Sequence, residues 1–168
     1  SISQLNSFNN LSNIDLSSHQ SEKNLITIIL FKNIIILKFM NFRILNNNDY
    51  IQFKELINDF RETNFSEFSF KNFIENEKNI NIYVLEENNN LLAAGTVLFE
   101  RKFIHNMSLY GHIEDIIVKK EHQKKGYGKI LIKNLIEECH ANKCYKILLD
   151  CSNELVPFYE KCGFKLNS

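Results

Sequence analysis

From Asn41 to Leu45 apolar and polar residues alternate, the period-2 pattern of a first strand. Asn46–Asp49 is turn and N-cap chemistry, after which Phe53, Leu56, Ile57 and Phe60 recur at helical spacing. Ser66 can cap a second helix whose apolar face is Phe70, Phe73 and Ile74. Ile80–Leu85 and Leu91–Phe99 read as strands joined by a hairpin turn at Glu87–Asn90. Ser108–Val118 predicts another strand and Lys119–Lys125 a charged loop. A helix then runs from Gly126 to about His140, buried through Ile130, Leu131, Leu135 and Ile136. Cys144–Asp150 predicts a further strand, and Glu154–Lys161 a short helix that Gly163 ends in the left-handed conformation. The order β-α-α-β-β-β-α-β-α is α+β: a central, mostly antiparallel mixed sheet flanked by helices, with one strand–helix–strand unit at its end.

The first 40 residues break this rhythm. Residues 1–24 are polar, rich in Ser and Asn, and read as disordered. Leu25–Met40 is mostly apolar, but Lys32, Asn33 and Lys38 interrupt it. Its blocks of seven and four apolar residues fall short of the ~20 that a spanning helix needs. Basic residues do not lead it and no small-residue cleavage site follows, so it does not read as a signal peptide. The expectation is a dispensable extension over residues 1–39 and a functional domain over 40–168, with no integral membrane segment.

Composition adds exclusions. A chain of 168 residues suits one domain, and 44% hydrophobic residues supply a core. The 20 basic and 20 acidic side chains balance, so charge points to neither nucleic acid nor a membrane surface as a partner. Cys139, Cys144, Cys151 and Cys162 crowd the last 30 residues without a CxxC pair. With His112 and His140 they complete no zinc spacing. They read as reduced, half-buried core cysteines of a cytoplasmic protein, and no metal is expected.

The chemistry concentrates between residues 111 and 161. Gln123-Lys124-Lys125-Gly126-Tyr127-Gly128-Lys129 joins a strand to a helix. Free N–H groups and the dipole at a helix N-terminus favour an anion, and the two glycines let backbone approach a pyrophosphate. A solvated basic turn would carry the same residues. A Walker loop is excluded, because Ile130 follows Lys129 where Ser or Thr is required. Glu114 and Asp115 are strand neighbours that alternation sends to opposite sides, and Asp150 ends an apolar strand where acids often line a crevice. Each also has an ordinary reading as an exposed or ion-paired acid. Tyr159 on the last helix is either core or catalyst, and His105 and His112 are ordinary polar partners.

Taken in order, these features resemble the GCN5-related N-acetyltransferase (GNAT) superfamily. Gln123, Gly126 and Gly128 meet its Q/R-x-x-G-x-G/A signature in full. Four longer blocks narrow the match: Glu100–His105, Gly111–Ile116, Cys144–Cys151 and Phe158–Phe164 together resemble the glucosamine 6-phosphate N-acetyltransferases, over about residues 41–165. The resemblance implies acetyl transfer from acetyl-coenzyme A to the 2-amino group of D-glucosamine 6-phosphate, a step of UDP-N-acetylglucosamine synthesis, by a homodimer with the sugar phosphate near the subunit interface. Carried over by motif, Lys102, His105, Glu114, Asp115, Tyr145, Lys146 and Asp150 surround the sugar phosphate. Ile116, Ile117 and Val118 pair by backbone with the pantetheine arm, Gln123–Lys129 hold the pyrophosphate, Tyr159 sits by the sulfur, and Lys161 lies close to the cofactor.

The physics suits those roles. The attacking amine must be neutral, so a carboxylate such as Glu114 or Asp150 orients it and accepts its proton. Backbone N–H groups near Val118 suit an oxyanion, and the Tyr159 hydroxyl can donate to the leaving thiolate. Direct attack needs no cysteine. Two departures stand out: Leu155 occupies the position where the family carries Asn, and the chain stops at Ser168, four residues after Phe164, where the family continues into a last strand. An acetyltransferase for another amine (a protein lysine, a polyamine) and a non-catalytic coenzyme A-binding module are the alternative readings.

Overall fold

The computed structural model describes residues 40–166, so the expectations for residues 1–39 fall outside the described residues. Strand β1 (Met40–Ile44) leads through a 3-10 turn at Asn47–Asp49 into helices α1 (Tyr50–Phe60) and α2 (Glu67–Asn76). Strands β2 (Ile80–Glu87), β3 (Asn90–Arg101) and β4 (Leu109–Val118) follow, then helix α3 (Tyr127–Ala141), strand β5 (Lys146–Leu148) and helix α4 (Val156–Glu160). The sheet order is β1-β2-β3-β4-β5, antiparallel except for the parallel β4–β5 pair. This is the element order that periodicity predicts.

Local chemistry accounts for the boundaries. The Asn46 side chain accepts the Asn48 N–H at 2.9 Å, and Asp49 accepts the Asn46 N–H at 2.8 Å, a reciprocal cap that starts the turn into α1. Arg43 grips both Asp49 oxygens at 2.7 and 2.9 Å and reaches Glu86 at 2.5 Å, tying β1, β2 and the α1 start together. Ser66 caps α2 by accepting the Ser69 N–H at 3.0 Å. The β2–β3 hairpin turns on Asn88 (φ 50°) and Asn89 (φ 61°), the paired left-handed residues that its tight turn needs.

Two cores hold the helices on opposite faces of the sheet. Leu131, Ile132 and Leu135 of α3 are wholly buried against Tyr83, Leu85, Val97 and Ile113. Phe53, Leu56 and Phe70 of α1 and α2 pack on Val84, Ala94 and Ile117. Each fully buried aliphatic side chain contributes roughly 1.5–3 kcal/mol.

Several expectations need correction. Ile132 is buried and Ile130 and Ile136 only half so, because the stripe that meets the sheet is rotated from the predicted one. Phe60 is 67% exposed at the α1 C-terminus, beyond the edge of its core. All four cysteines are free, but Cys151 is exposed because it follows the end of β5. The predicted Cys144–Asp150 strand shrinks to Lys146–Leu148, which pairs only with Tyr110–His112.

The reason for that short pairing lies in β4. The β3–β4 register passes from Thr96↔Glu114 to Ala94↔Ile117, so Gly95 alone opposes Asp115 and Ile116. Asp115 takes φ 49°, and Ile113 and Ile116 both pack on the α3 side, which strict alternation forbids. Gly95 permits the bulge: a Cβ there would lie 2.7 Å from Ile116 Cδ1 and 2.8 Å from Leu135 Cδ1.

Candidate active site

Beyond His112, no described strand pairs with the β5-facing edge of β4. The backbone of Ile116, Ile117 and Val118 therefore borders an open slot on that side, with Ile117 itself buried in the α1/α2 core. At the far end of the slot the chain makes a 3-10 turn at Lys120–His122, and Gln123 turns back to donate its side-chain N–H to Val118 O at 3.1 Å. Lys124 (φ 59°) and Gly126 (φ 94°) then reverse the chain into α3. The first hydrogen bond of that helix runs from the Ile130 N–H to Gly126 O. The N–H groups of Tyr127, Gly128 and Lys129 precede it and find no acceptor among the described residues. Lys124, Lys125 and Lys129 are exposed around them.

Three unsatisfied N–H groups on a 15-residue helix, ringed by lysines, fit a pyrophosphate. Gly128 lies beside Phe158 of α4 and Val118 of β4, 3.4 and 3.6 Å from where a Cβ would stand, so the helix start is packed against both elements. Helix α4 carries Tyr159, 9% exposed, with Phe158 and Phe164 set edge-on to its ring. Burial raises the Tyr159 phenol above its usual pKa, with the nearby Cys151 and Cys162 thiols adding to the rise, so it stays a proton donor. Gly163 (φ 99°) ends α4 as predicted, with Phe164 N–H donating to Tyr159 O. Lys161 is the exposed C-cap of α4.

A cavity of about 760 Å³ opens around β5, lined by Glu114, Tyr145, Lys146, Asp150 and Tyr159 together with His112. Glu114 and Asp150 are both exposed to it. Asp115 instead lines a second cavity of about 550 Å³ between α1, α2 and the sheet, beside Arg61, Thr63 and Thr96. Thr96 is the cross-strand partner of Glu114, so the two cavities meet at the bulge. Asn153 lines the larger cavity, whereas Leu155 is 47% exposed.

Lys102 and His105 sit on the β3–β4 connection. His105 and Asn106 have φ/ψ of 52°/45° and 58°/52°, and Met107 also has positive φ, a left-handed turn unusual for L-residues. The N–H groups of Phe103, Ile104, His105 and Asn106 find no acceptor among the described residues. His105 stacks on Tyr145 at 4.4 Å, which brings this turn to the wall of the larger cavity. Lys102 Nζ lies 5.7 Å from the Tyr110 ring centroid, and Lys146 is the β5 partner of Tyr110. Two cations and four free N–H groups in one neighbourhood suit a phosphate.

Sequence reasoning missed Arg61, Thr63 and Thr96, which carry no motif and meet Asp115 only through the fold. It also treated His112 as an ordinary polar partner; its place at i−2 from Glu114 on one strand was the available signal. Among the described residues no three metal-ligating side chains cluster, and no helix is long and apolar enough to cross a membrane.

Known proteins resemble this chain in sequence and in fold. The sequence pattern of the acetyltransferase (GNAT) family matches residues 50–164. The glucosamine 6-phosphate N-acetyltransferase of Candida albicans is 48% identical over 75 residues, 45% of this chain and 50% of that protein. Glucosamine 6-phosphate N-acetyltransferase 1 of Dictyostelium discoideum is 35% identical over 135 residues, 75% of this chain and 85% of that protein. The match thus spans half the length of the first relative and most of the second. The crystal structure of glucosamine-6-phosphate N-acetyltransferase from Arabidopsis thaliana superposes with a TM-score of 0.69 at 33% identity, covering 77% of this chain and 93% of that one. A family pattern that spans residues 50–164 and a solved relative of the same fold together show that the chain belongs to the acetyltransferase (GNAT) family.

Proposed function

We propose that this chain transfers acetyl from acetyl-coenzyme A to the 2-amino group of D-glucosamine 6-phosphate, giving N-acetyl-D-glucosamine 6-phosphate for UDP-N-acetylglucosamine synthesis in the cytoplasm. The observation that carries this reading is a second anion-binding surface, besides the α3 start, beside a cavity that holds two carboxylates. The α3 start offers N–H groups to a pyrophosphate, and the Phe103–Asn106 turn with Lys102 and Lys146 offers a second site for a phosphate. Glu114 and Asp150 line one cavity, whose wall also holds Lys146 and Tyr145, the ring on which His105 stacks. The names of the related proteins supply the amino sugar.

Acetyl-coenzyme A would supply the activated acyl carbon as its thioester. Gln123–Lys129 hold its pyrophosphate, and the open backbone of Ile116–Val118 pairs with its pantetheine arm. Glu114 or Asp150 orients the incoming amine and accepts the proton it releases on forming the C–N bond. The phenol of Tyr159 gives its proton to the sulfur as the C–S bond breaks. Lys102, His105, Tyr145 and Lys146 bind the sugar phosphate, and Lys161 adds charge beside the cofactor. Asp115, at the bulge, faces the sugar from the smaller cavity with Thr63.

The working enzyme is a homodimer. Phe103 (89% exposed), Ile104 (60%), Met107 (45%) and Tyr145 (58%) form an apolar rim beside the phosphate site, a poor surface to leave in water. A second reading has one observation in its favour. The cavity of Asp115 is walled by Phe53, Phe65 and Phe70, which suits an amine with an apolar body.

One assay separates these readings: release of coenzyme A thiol with glucosamine 6-phosphate, glucosamine and a lysine peptide as competing acceptors. Glucosamine 6-phosphate should win on kcat/KM by at least on the order of tenfold over glucosamine. Indifference to the phosphate would refute the amino-sugar phosphate, preference for the peptide would favour the second reading, and cofactor binding without turnover would leave a coenzyme A-binding module.

A further inference from the structure

Glu100 stands near the end of β3 with Lys102 just beyond it, and period-2 geometry places Tyr110, His112 and Glu114 on one face of β4. Glu100 is the cross-strand partner of Tyr110, and His112 lies diagonal to it. The Glu100 carboxylate uses both oxygens: Oε1 accepts from Lys102 Nζ at 2.5 Å, and Oε2 meets His112 Nε2 at 2.9 Å. The hydrogen bond from Lys102, followed by that from His112, holds this carboxyl below its usual pKa, so it stays ionised across the neutral range. No other salt bridge holds Lys102 among the described residues.

We propose that Glu100 is a positioning residue of the acceptor site: by tying Lys102 to His112 it fixes the lysine over Tyr110, ready for the phosphate of the acceptor. This rests on the reading of Lys102 as a phosphate ligand given above. Without the tie, Lys102 is a four-carbon side chain on a strand end, with many rotamers to lose when the phosphate arrives. Glu100 removes that loss before binding. Because the carboxylate is shared with His112 on β4, the lysine keeps its place relative to Glu114, two residues further along the same strand.

The experiment measures acetyl transfer to glucosamine 6-phosphate and to glucosamine by wild type, Glu100→Gln, Lys102→Met and the double variant, with melting temperature and coenzyme A affinity recorded alongside. Glu100→Gln should raise KM for glucosamine 6-phosphate roughly three- to tenfold, the effect of one freed long side chain. Its kcat should change less than about twofold, and KM for glucosamine should not move. The double variant should be no worse than Lys102→Met alone, since both act through one ammonium group. A loss shared by both acceptors, an unchanged or lowered KM for the phosphorylated one, or additive losses in the double variant would each overturn the proposal. A Glu100→Gln chain that melts early and loses coenzyme A affinity would show a structural residue and overturn it too. Wild type indifferent to the phosphate overturns the acceptor reading and this inference together. A phosphate preference that Glu100→Gln leaves undiminished overturns this inference alone.

Discussion

Tyr159 is a core side chain to which the proposed function also gives chemistry. Its ring belongs to the α3-side core and its burial keeps the phenol protonated. Tyr159→Phe keeps the ring, so it should melt near the wild-type temperature and bind coenzyme A equally well. Turnover should fall on the order of 10²-fold if the phenol is the proton donor; equal turnover would remove it from the reaction. The same burial fixes a pH effect on stability. The native phenol holds its proton above the ordinary tyrosine pKa of about 10, where the unfolded chain releases its own. Stability should therefore drop as pH rises from there through the raised native value, and Tyr159→Phe should flatten that alkaline decline in melting temperature. Glycines separate in a similar way. Gly95→Ala drives a methyl into Ile116 and Leu135, which should cost about 1–3 kcal/mol by chemical denaturation. Gly126→Ala meets no neighbouring atom but must hold φ 94°, a strain of about 1–2 kcal/mol, so it should lower stability as well as coenzyme A affinity.

At the scale of elements, Asp49 joins a strand to a helix. It is buried, and although burial opposes its charge, the Arg43 fork and the Asn46 N–H hold its carboxyl below the usual value. Its contribution is complete above the ordinary carboxylate pKa of about 4 and is lost as pH falls from there through the lowered native value. Asp49→Asn should cost about 2–3 kcal/mol at neutral pH and give a shallower acid transition. Equal acid transitions would show that the pair is decorative. The elements themselves were legible because caps and periodicity are local: Asn46 and Ser66 begin helices, and Asn88-Asn89 turns a hairpin. The glycine loop was legible for the same reason. The bulge at Asp115, the left-handed turn at His105–Met107 and the three-residue β5 were not. Each depends on how strands already paired must twist past one another, and no short window of residues encodes that. Strand alternation did send Glu114 and Asp115 to separate cavities, but it gave no sign of the positive φ at Asp115 or of the shared side of Ile113 and Ile116.

For the whole molecule, the apolar rim at Phe103, Ile104, Met107 and Tyr145 predicts self-association. Phe103→Asp should shift sedimentation from dimer to monomer and raise KM for the sugar phosphate; a wild-type monomer at all concentrations would dispose of the dimer. The open edge of β4 has a consequence of another kind. A strand with one row of backbone groups unmatched is a sheet waiting for its neighbour, and under the function proposed above the pantetheine arm, with its two amides, would be that neighbour. Cofactor level would then act as a thermostat for the fold: at 100 times its dissociation constant the bound form would gain about 2.7 kcal/mol. Amide hydrogens along Ile116–Val118 should slow their exchange with solvent as coenzyme A is titrated, and cells starved of coenzyme A should lose this protein to proteolysis before they lose its transcript.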